Sequence, residues 1–340
     1  MRRESGFQES KISVVIDNYN YDRYLAEAIE SVLNQSRAPS ELIVIDDGST
    51  DRSQEVICSF GDRVKGVFKE NGGQGSAFNS GFSVASGDWI LFLDADDRLC
   101  PGAIEALEEV VADVSPHCSR IFWKRRLIDE NSAILRTPTL GKEGPRRRDF
   151  VRELNSGGIF VVQPTSSNLF RRKSLAKILP MPESEYRICA DTYLAWKTAQ
   201  VGEGVELGQY LNDYRIHGKN AFQDREGMTK ERLRKMIYWW YQDFQLEREM
   251  PGRENISFLE SSQAQRETVM KHMIHAFQFE ALPRVFLKES RSAWETAFYQ
   301  RKKSTARRLL DVFRVKALRC FPRAGSDRLL NWALRSRWLP

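Results

Sequence analysis

Three short apolar runs in the first hundred residues all end in the same kind of chemistry. "ISVVI" (12–16) runs into "DNYN", "ELIVI" (41–45) into "DDGST", and "WILFL" (89–93) into "DADD". Runs of this length bounded by turn-forming residues read as buried strands. Helical patterns alternate with them. "YLAEAIESVLNQ" places Leu25, Ile29, Val32 and Leu33 on one face, "STDRSQEVICSF" opens with capping residues, and "GQGSAFNSGFSVASG" is a helix of small residues. "VKGVFKE" adds a further strand. Such alternation, joined by right-handed crossovers, predicts an α/β fold with a doubly wound, mostly parallel, Rossmann-like sheet. The ligand crevice of such a sheet lies at the carboxyl ends of its strands. Each polar cluster falls at that end.

The acids there need a reason. Asp94, Asp96 and Asp97 follow a greasy strand within four positions, where ionised carboxylates repel one another beside a low-dielectric core. In extended chain Asp94 and Asp96 point to one side. A divalent cation, Mg²⁺ or Mn²⁺, would offset their charge, since such ions take one or two carboxylates plus phosphate oxygens. The other reading is solvated acids at a strand end, with Asp97 capping the next helix. Asp46 and Asp47 in "DDGSTD" form either an ordinary turn and cap or acceptors for a nucleobase N–H and ribose hydroxyls. Gly72, Gly73 and Gly75 precede a helix, where free amides favour anions; a flexible loop before a closely packed helix is the alternative.

In this order, "ISVVIDNYNYDRYLAEAIESVLNQS", "ELIVIDDGSTD", "NGGQGSAFNSG" and "GDWILFLDADD" resemble the family 2 glycosyltransferases with the GT-A fold. The resemblance is dense over about the first hundred residues and continues thinly to about Asn220. It implies an inverting transfer of a sugar from a nucleotide-diphosphate donor, UDP favoured, assisted by a divalent metal, Mn²⁺ or Mg²⁺. Carried over by position, the donor pocket comprises Asp17, Tyr19, Asp46, Asp47, Gly73, Asn79, Asp94 and Arg215. Asp96 is the metal ligand, with Asp94 and His217 beside it. "YRICADTYLAWKTA" is similar to the segment that carries the family's general base, which places Asp191 in that role. "DYRIHGKNAF" is similar to the segment that puts Arg215 and His217 at the diphosphate or metal. Two positions depart. Asp17 stands where the family usually has Pro or Thr, and Ala190 replaces the usual Glu before the base. The first bears on donor choice and the second on acceptor geometry.

The second half adds "FVVQPTSSNLFRRKSLAKI", which resembles the family's acceptor-side segment. Gln163, Thr165, Ser166, Ser167 and Asn168 offer groups suited to a sugar, or else form a polar strand edge. "GKEGPRRRDFVRE" reads as a mobile loop whose Arg146, Arg147 and Arg148 either meet phosphates or form a solvated face. The formal net charge is +6, yet residues 300–340 hold twelve Lys and Arg against two Asp, or +10, so the remainder sums to −4. Basic amphipathic helices with Trp and Leu suit an anionic membrane surface, or pack on the body.

The expected organisation is a catalytic domain over 1–222 and a basic helical appendage over 223–340. In the catalytic domain, about 10–100 serve the nucleotide sugar and about 101–222 the acceptor. The acceptor is expected to be a glycan or lipid-linked glycan used in cell-surface polysaccharide synthesis. The expected place is the cytoplasm, either free or peripheral on the inner face of the membrane, and no nucleic acid is expected as a partner. No apolar run of about 18 residues occurs, which argues against a spanning helix. Five scattered cysteines lack metal-ligand spacing and read as reduced thiols. Rival classes are a haloacid-dehalogenase-type phosphatase, a metal-dependent nucleotidyltransferase and a glycan-binding scaffold without turnover. The phosphatase would need its Asp-x-Asp early in the chain. The nucleotidyltransferase would need a basic glycine loop after the first strand.

Overall fold

The computed structural model describes residues 10–137, 144–156, 160, 162–217, 242–243 and 246–254. The chain divides into two compact units, the first being Met1–Gly227 with Gln245–Glu254. The described residues fall almost wholly in that first unit. The +10 tail and nearly all of the expected helical appendage lie outside the described residues.

The first half is built as the patterning predicts. β1 (Ile12–Asn18), α1 (Asp22–Leu33), β2 (Glu41–Asp46), α2 (Ser53–Ser59), β3 (Lys65–Phe68), α3 (Gln74–Val84) and β4 (Trp89–Asp94) alternate. β1 pairs in parallel with β2 and β4, and β2 with β3. Alternate β1 side chains go to opposite faces, as the two-residue period of a strand requires. Val14 and Ile16 pack with Leu25, Ile29 and Leu107 on one face. Val15 packs with Phe78, Phe92 and Trp196 on the other. Covering both faces is what makes these strands apolar throughout, and each fully buried Val, Ile, Leu or Phe contributes about 1.5–3 kcal/mol. The small residues of α3 have a packing cause: a Cβ at Gly81 would lie 2.5 Å from Val15 Cγ1.

The second half continues with β5 (Arg98–Leu99), α4 (Ala103–Asp113), β6 (Cys118–Asp129), β7 (Ile134–Arg136), β8 (Arg146–Arg148), α5 (Phe150–Asn155), β9 (Asn168–Arg171), α6 (Arg172–Leu175), α7 (Ala190–Val201) and β10 (Glu203–Ile216). The sheet order is β3-β2-β1-β4-β9-β6-β10-β5. β9 lies antiparallel between β4 and β6, and β10 runs parallel to β6. The sheet is therefore mixed, with its parallel run concentrated in the nucleotide half. The expected Arg-rich loop is a short edge strand, β8, against β10. Its Arg148 is paired with Glu153 and Glu206 rather than held out for phosphates. Cys100 and Cys118 are buried free thiols, pushed up to about 11 chiefly by burial.

Candidate active site

The parallel pairing of β1 and β4 sets Asp17 directly opposite Asp94 at the strand ends. β4 stops at Asp94 and the chain turns, the Asp97 amide donating back to the Asp94 carbonyl at 3.0 Å. Asp94 and Asp96 thus meet through a turn, not through the two-residue period of an extended strand. The turn also recruits Asp97: one carboxylate oxygen from each of Asp94, Asp96 and Asp97 lies within 4.8 Å of the others. Burial pushes Asp17 up to about 7, with the Asp96 charge adding to it. Burial, then Asp17 and Asp97, holds Asp94 well above the usual carboxylate range; burial, then Asp96, does the same for Asp97.

Asp97 is no helix cap. Its Oδ1 accepts the Arg215 amide at 2.9 Å. Its Oδ2, like Asp17 Oδ1, is buried without a hydrogen-bond partner. Unpartnered buried carboxylate oxygens are costly unless something positive joins them. Carboxylate oxygens of this kind are the donor set of a hard divalent cation. The cluster fits Mg²⁺ or Mn²⁺, with Asp94, Asp96 and Asp97 as the residues able to hold it. His217, 7% exposed, places Nε2 2.9 Å from Asp96 Oδ2.

Several expected ligand contacts turn out to be supports. Arg215 is 1% exposed. It donates to the Asp96 carbonyl at 2.8 Å, to Ser132 Oγ at 2.8 Å and to Glu27 Oε2 at 2.5 Å. Such a guanidinium fixes the backbone of the acid turn and is not presented to a diphosphate. Ser166 Oγ accepts the Asp94 amide at 3.1 Å, and its hydroxyl opposes the rise of the Asp97 carboxyl. Thr165, Ser166, Ser167 and Asn168 are all buried. Asn168 donates to the Pro164 carbonyl at 2.7 Å and Ser167 to Asn212 Oδ1 at 2.9 Å. The segment expected to greet an acceptor instead braces the acids from behind. Asn79 joins α3 to the 180s segment through the Met181 amide and carbonyl, at 2.9 and 3.0 Å.

The second strand end is equally committed. Asp46 is fully buried and accepts from Asn18 Nδ2 at 2.9 Å and the Ser49 amide at 3.2 Å. Asp47 accepts from Lys69 Nζ at 2.6 Å and from the Gly72 and Gly73 amides at 2.9 and 2.7 Å. The next two amides, Gln74 and Gly75, donate to the carbonyls of Arg187 and Tyr186. The glycine-loop amides expected to cradle phosphate are spent inside the protein. Gly73 itself is required by geometry: its φ is +88°, and a Cβ there would lie 2.7 Å from Arg187 Cα. Tyr19 is 46% exposed beside this edge.

Asp191 opens α7, one oxygen accepting the Thr192 amide at 2.8 Å. Burial raises it to about 6 against the opposing pull of the Thr192 amide and, after it, of Arg125. It belongs to the same electrostatic cluster, since its charge is felt at Asp94. A residue with no signature in the sequence joins the two: Gln74 donates to Asp94 Oδ1 at 3.3 Å and accepts the Ala190 amide at 3.1 Å. One amide side chain thus spans from the acid turn to the start of the helix carrying Asp191.

The raised acids carry a sign. A folded state that binds protons more tightly than the unfolded chain loses stability as pH rises. Without divalent cation, the melting temperature is expected to fall between about pH 6 and about pH 8, where of the carboxylates only those raised groups titrate. Mn²⁺ or Mg²⁺ should stabilise the protein more at the upper pH. Melting curves in chelator and in Mn²⁺ check this; a cation shift that is larger at low pH would contradict the cluster's role.

A family model described as glycosyl transferase family 2 matches residues 13–179. An uncharacterized glycosyltransferase of Nostoc sp. is 38% identical over 232 residues, covering 65% of this chain and 69% of that one. Glycosyltransferase GlyG of Streptococcus pneumoniae is 42% identical over 106 residues, 30% of this chain and 35% of its own. Among solved structures, that of S. aureus TarS 1-349 in complex with UDP-GlcNAc superposes with a TM-score of 0.59. It shares 17% identity and covers 82% of this chain and 78% of that one, a likeness of fold.

Proposed function

The chain belongs to glycosyl transferase family 2, and from that premise we propose that it moves a sugar, with inversion, from a UDP-sugar to a hydroxyl of a glycan or lipid-linked glycan destined for the cell surface. The observation that carries this reading is the juxtaposition of the carboxylates at the end of β4 with Asp191, linked through Gln74. UDP is favoured because the TarS structure carries UDP-GlcNAc. The +10 tail supports a place on an anionic leaflet, where lipid-linked acceptors reside.

In this mechanism Asp191 takes the proton of the acceptor hydroxyl as its oxygen attacks the anomeric carbon. The new C–O bond forms while the bond to the diphosphate breaks, and the nucleoside diphosphate leaves with that electron pair. The raised affinity of Asp191 for a proton makes it a better base than an ordinary aspartate. Asp94, Asp96 and Asp97 would hold the divalent cation, which when bound supplies Lewis-acid stabilisation of the departing diphosphate. Arg215 and Ser166 keep the acid turn from relaxing when that charge is unmet.

The test is release of nucleoside diphosphate from a panel of sugar nucleotides with and without Mn²⁺. Slow donor hydrolysis is expected with at least one UDP-sugar and only with the cation. No turnover and no uptake of any sugar nucleotide would leave a non-catalytic scaffold as the better description.

A further inference from the structure

Two arginines of β6 carry buried nitrogen atoms without hydrogen-bond partners, Arg120 fully buried and Arg125 half-buried, and they differ in what surrounds them. Arg120 is sealed in a box of Phe122, Phe150 and Phe160, its guanidinium 4.9–5.4 Å from the three rings. Arg125 stands at the acid cluster. Its Nη1 donates to Gln163 Oε1 at 3.0 Å, and its guanidinium lies 5.2 Å over the ring of Tyr214. Its Nε is buried with no hydrogen-bond partner. Asp97 and Asp191 both lie within its electrostatic reach, yet no ion pair ties it to either among the described residues.

A guanidinium carries five N–H donors in a rigid fork that matches the paired oxygens of a phosphate or carboxylate. Leaving the buried Nε edge of that fork without a partner beside the general base is costly unless a ligand completes it. Gln163 and the Tyr214 ring hold the fork from two sides, so its plane is set before anything arrives. The carboxylates around it ask for a cation, and Arg125 offers the site a charge of the sign that attracts an anion.

We infer that Arg125 is an anion seat beside Asp191, taking the paired oxygens of a substrate phosphate or carboxylate. This rests on the glycosyltransferase reading of the same site and names a chemical class within it. Two sources share that chemistry: the diphosphate of the donor, and a phosphate or carboxylate carried by the acceptor.

The experiment compares wild type, Arg125→Lys, Arg125→Met and Gln163→Ala as full-length proteins. Calorimetry measures Mn²⁺ alone, UDP with Mn²⁺, and glycerol 1-phosphate on the Mn²⁺·UDP-loaded protein. Removing a positive charge cannot weaken a cation's hold on the neighbouring acids, so Mn²⁺ affinity is expected to stay level or rise in Arg125→Met. Anion affinity should fall about 10–100-fold in Arg125→Met and less in Arg125→Lys, which keeps the charge and loses the fork. Gln163→Ala, which frees the fork but keeps the charge, should fall by less than Arg125→Met. A loss confined to UDP assigns the seat to the donor diphosphate. Intact UDP binding with glycerol 1-phosphate lost assigns it to the acceptor. Wild-type-like binding of both probes in Arg125→Met overturns the inference, while wild-type donor hydrolysis in the same preparation leaves the enzyme reading standing. Loss of Mn²⁺ binding together with the anions would also overturn it, for that is the signature of a structural arginine.

Discussion

Asp191→Asn should bind a sugar nucleotide within about twofold of wild type and transfer its sugar about 10²–10⁴-fold more slowly, the usual worth of a positioned base. The substitution keeps the size of the side chain and an oxygen for the Thr192 amide, 2.8 Å away, so α7 keeps its start. It removes only the basic oxygen. Burial has lifted this carboxyl to about 6, which fixes two further signs. Because the base must be ionised, wild-type kcat/KM should fall as pH drops through about 6, well above the ordinary aspartate range near about 4. Because the ionised form is the one burial penalises, the Asn variant should melt at or above the wild-type temperature at neutral pH. Activity and stability are thus expected to move in opposite directions, which separates a lost base from a damaged fold. An active Asn variant, or an acid limb near pH 4, would take the role away from Asp191.

How far a sequence carries such an argument depends on which physical feature is asked for. β1, β2 and β4 are apolar on both faces because helices cover both, and a run of that kind is visible in the letters. β10 is not. "EGVELGQYLNDYRI" mixes apolar and polar residues, since Asn212, Asp213 and Arg215 are buried by pairing with distant side chains rather than by hydrophobicity. The Asp-rich strand ends announce an edge with chemistry, yet not the direction of each carboxylate. Asp47 turns to the glycine loop because Lys69, Gly72 and Gly73 fold back over it.

The same limit explains the segment around Ser166. Its hydroxyls and amides have the capacity to meet a sugar, but capacity says nothing of orientation, and burial against β4 and Asn212 turns them inward. Arg215 was legible as part of a site motif and illegible as a brace, because Glu27 and Ser132 lie 188 and 83 positions away. Gln74 had no signal at all. An amide that ties Asp94 to a helix start 116 residues on is a fact of the folded chain alone. The acid cluster was found because repulsion between like charges is a local property of sequence; its supports are long-range and were not.

Asp96→Asn is expected to weaken Mn²⁺-dependent UDP binding at least roughly 100-fold, and His217→Gln about 10–100-fold, the range for groups that orient a ligand from outside. Chelator treatment of the wild-type protein should reproduce the larger loss. The ranking follows from position. Asp96 brings its oxygen to both Asp94 and Asp97, whereas His217 reaches the cluster through Asp96 Oδ2 at 2.9 Å. The metal-free protein should respond with the opposite sign. The Asp96 charge is the largest electrostatic cause, after burial, that lifts Asp17 and Asp97. Removing it relieves those neighbours, so Asp96→Asn should melt higher than wild type in chelator at about pH 8. Mn²⁺ should then stabilise wild type strongly and the variant little. A group kept for stability would show the reverse, losing melting temperature in chelator and keeping its response to the ion. If Asp96→Asn binds Mn²⁺ and UDP as wild type does, the carboxylates at the end of β4 are there for some purpose other than a shared cation and diphosphate.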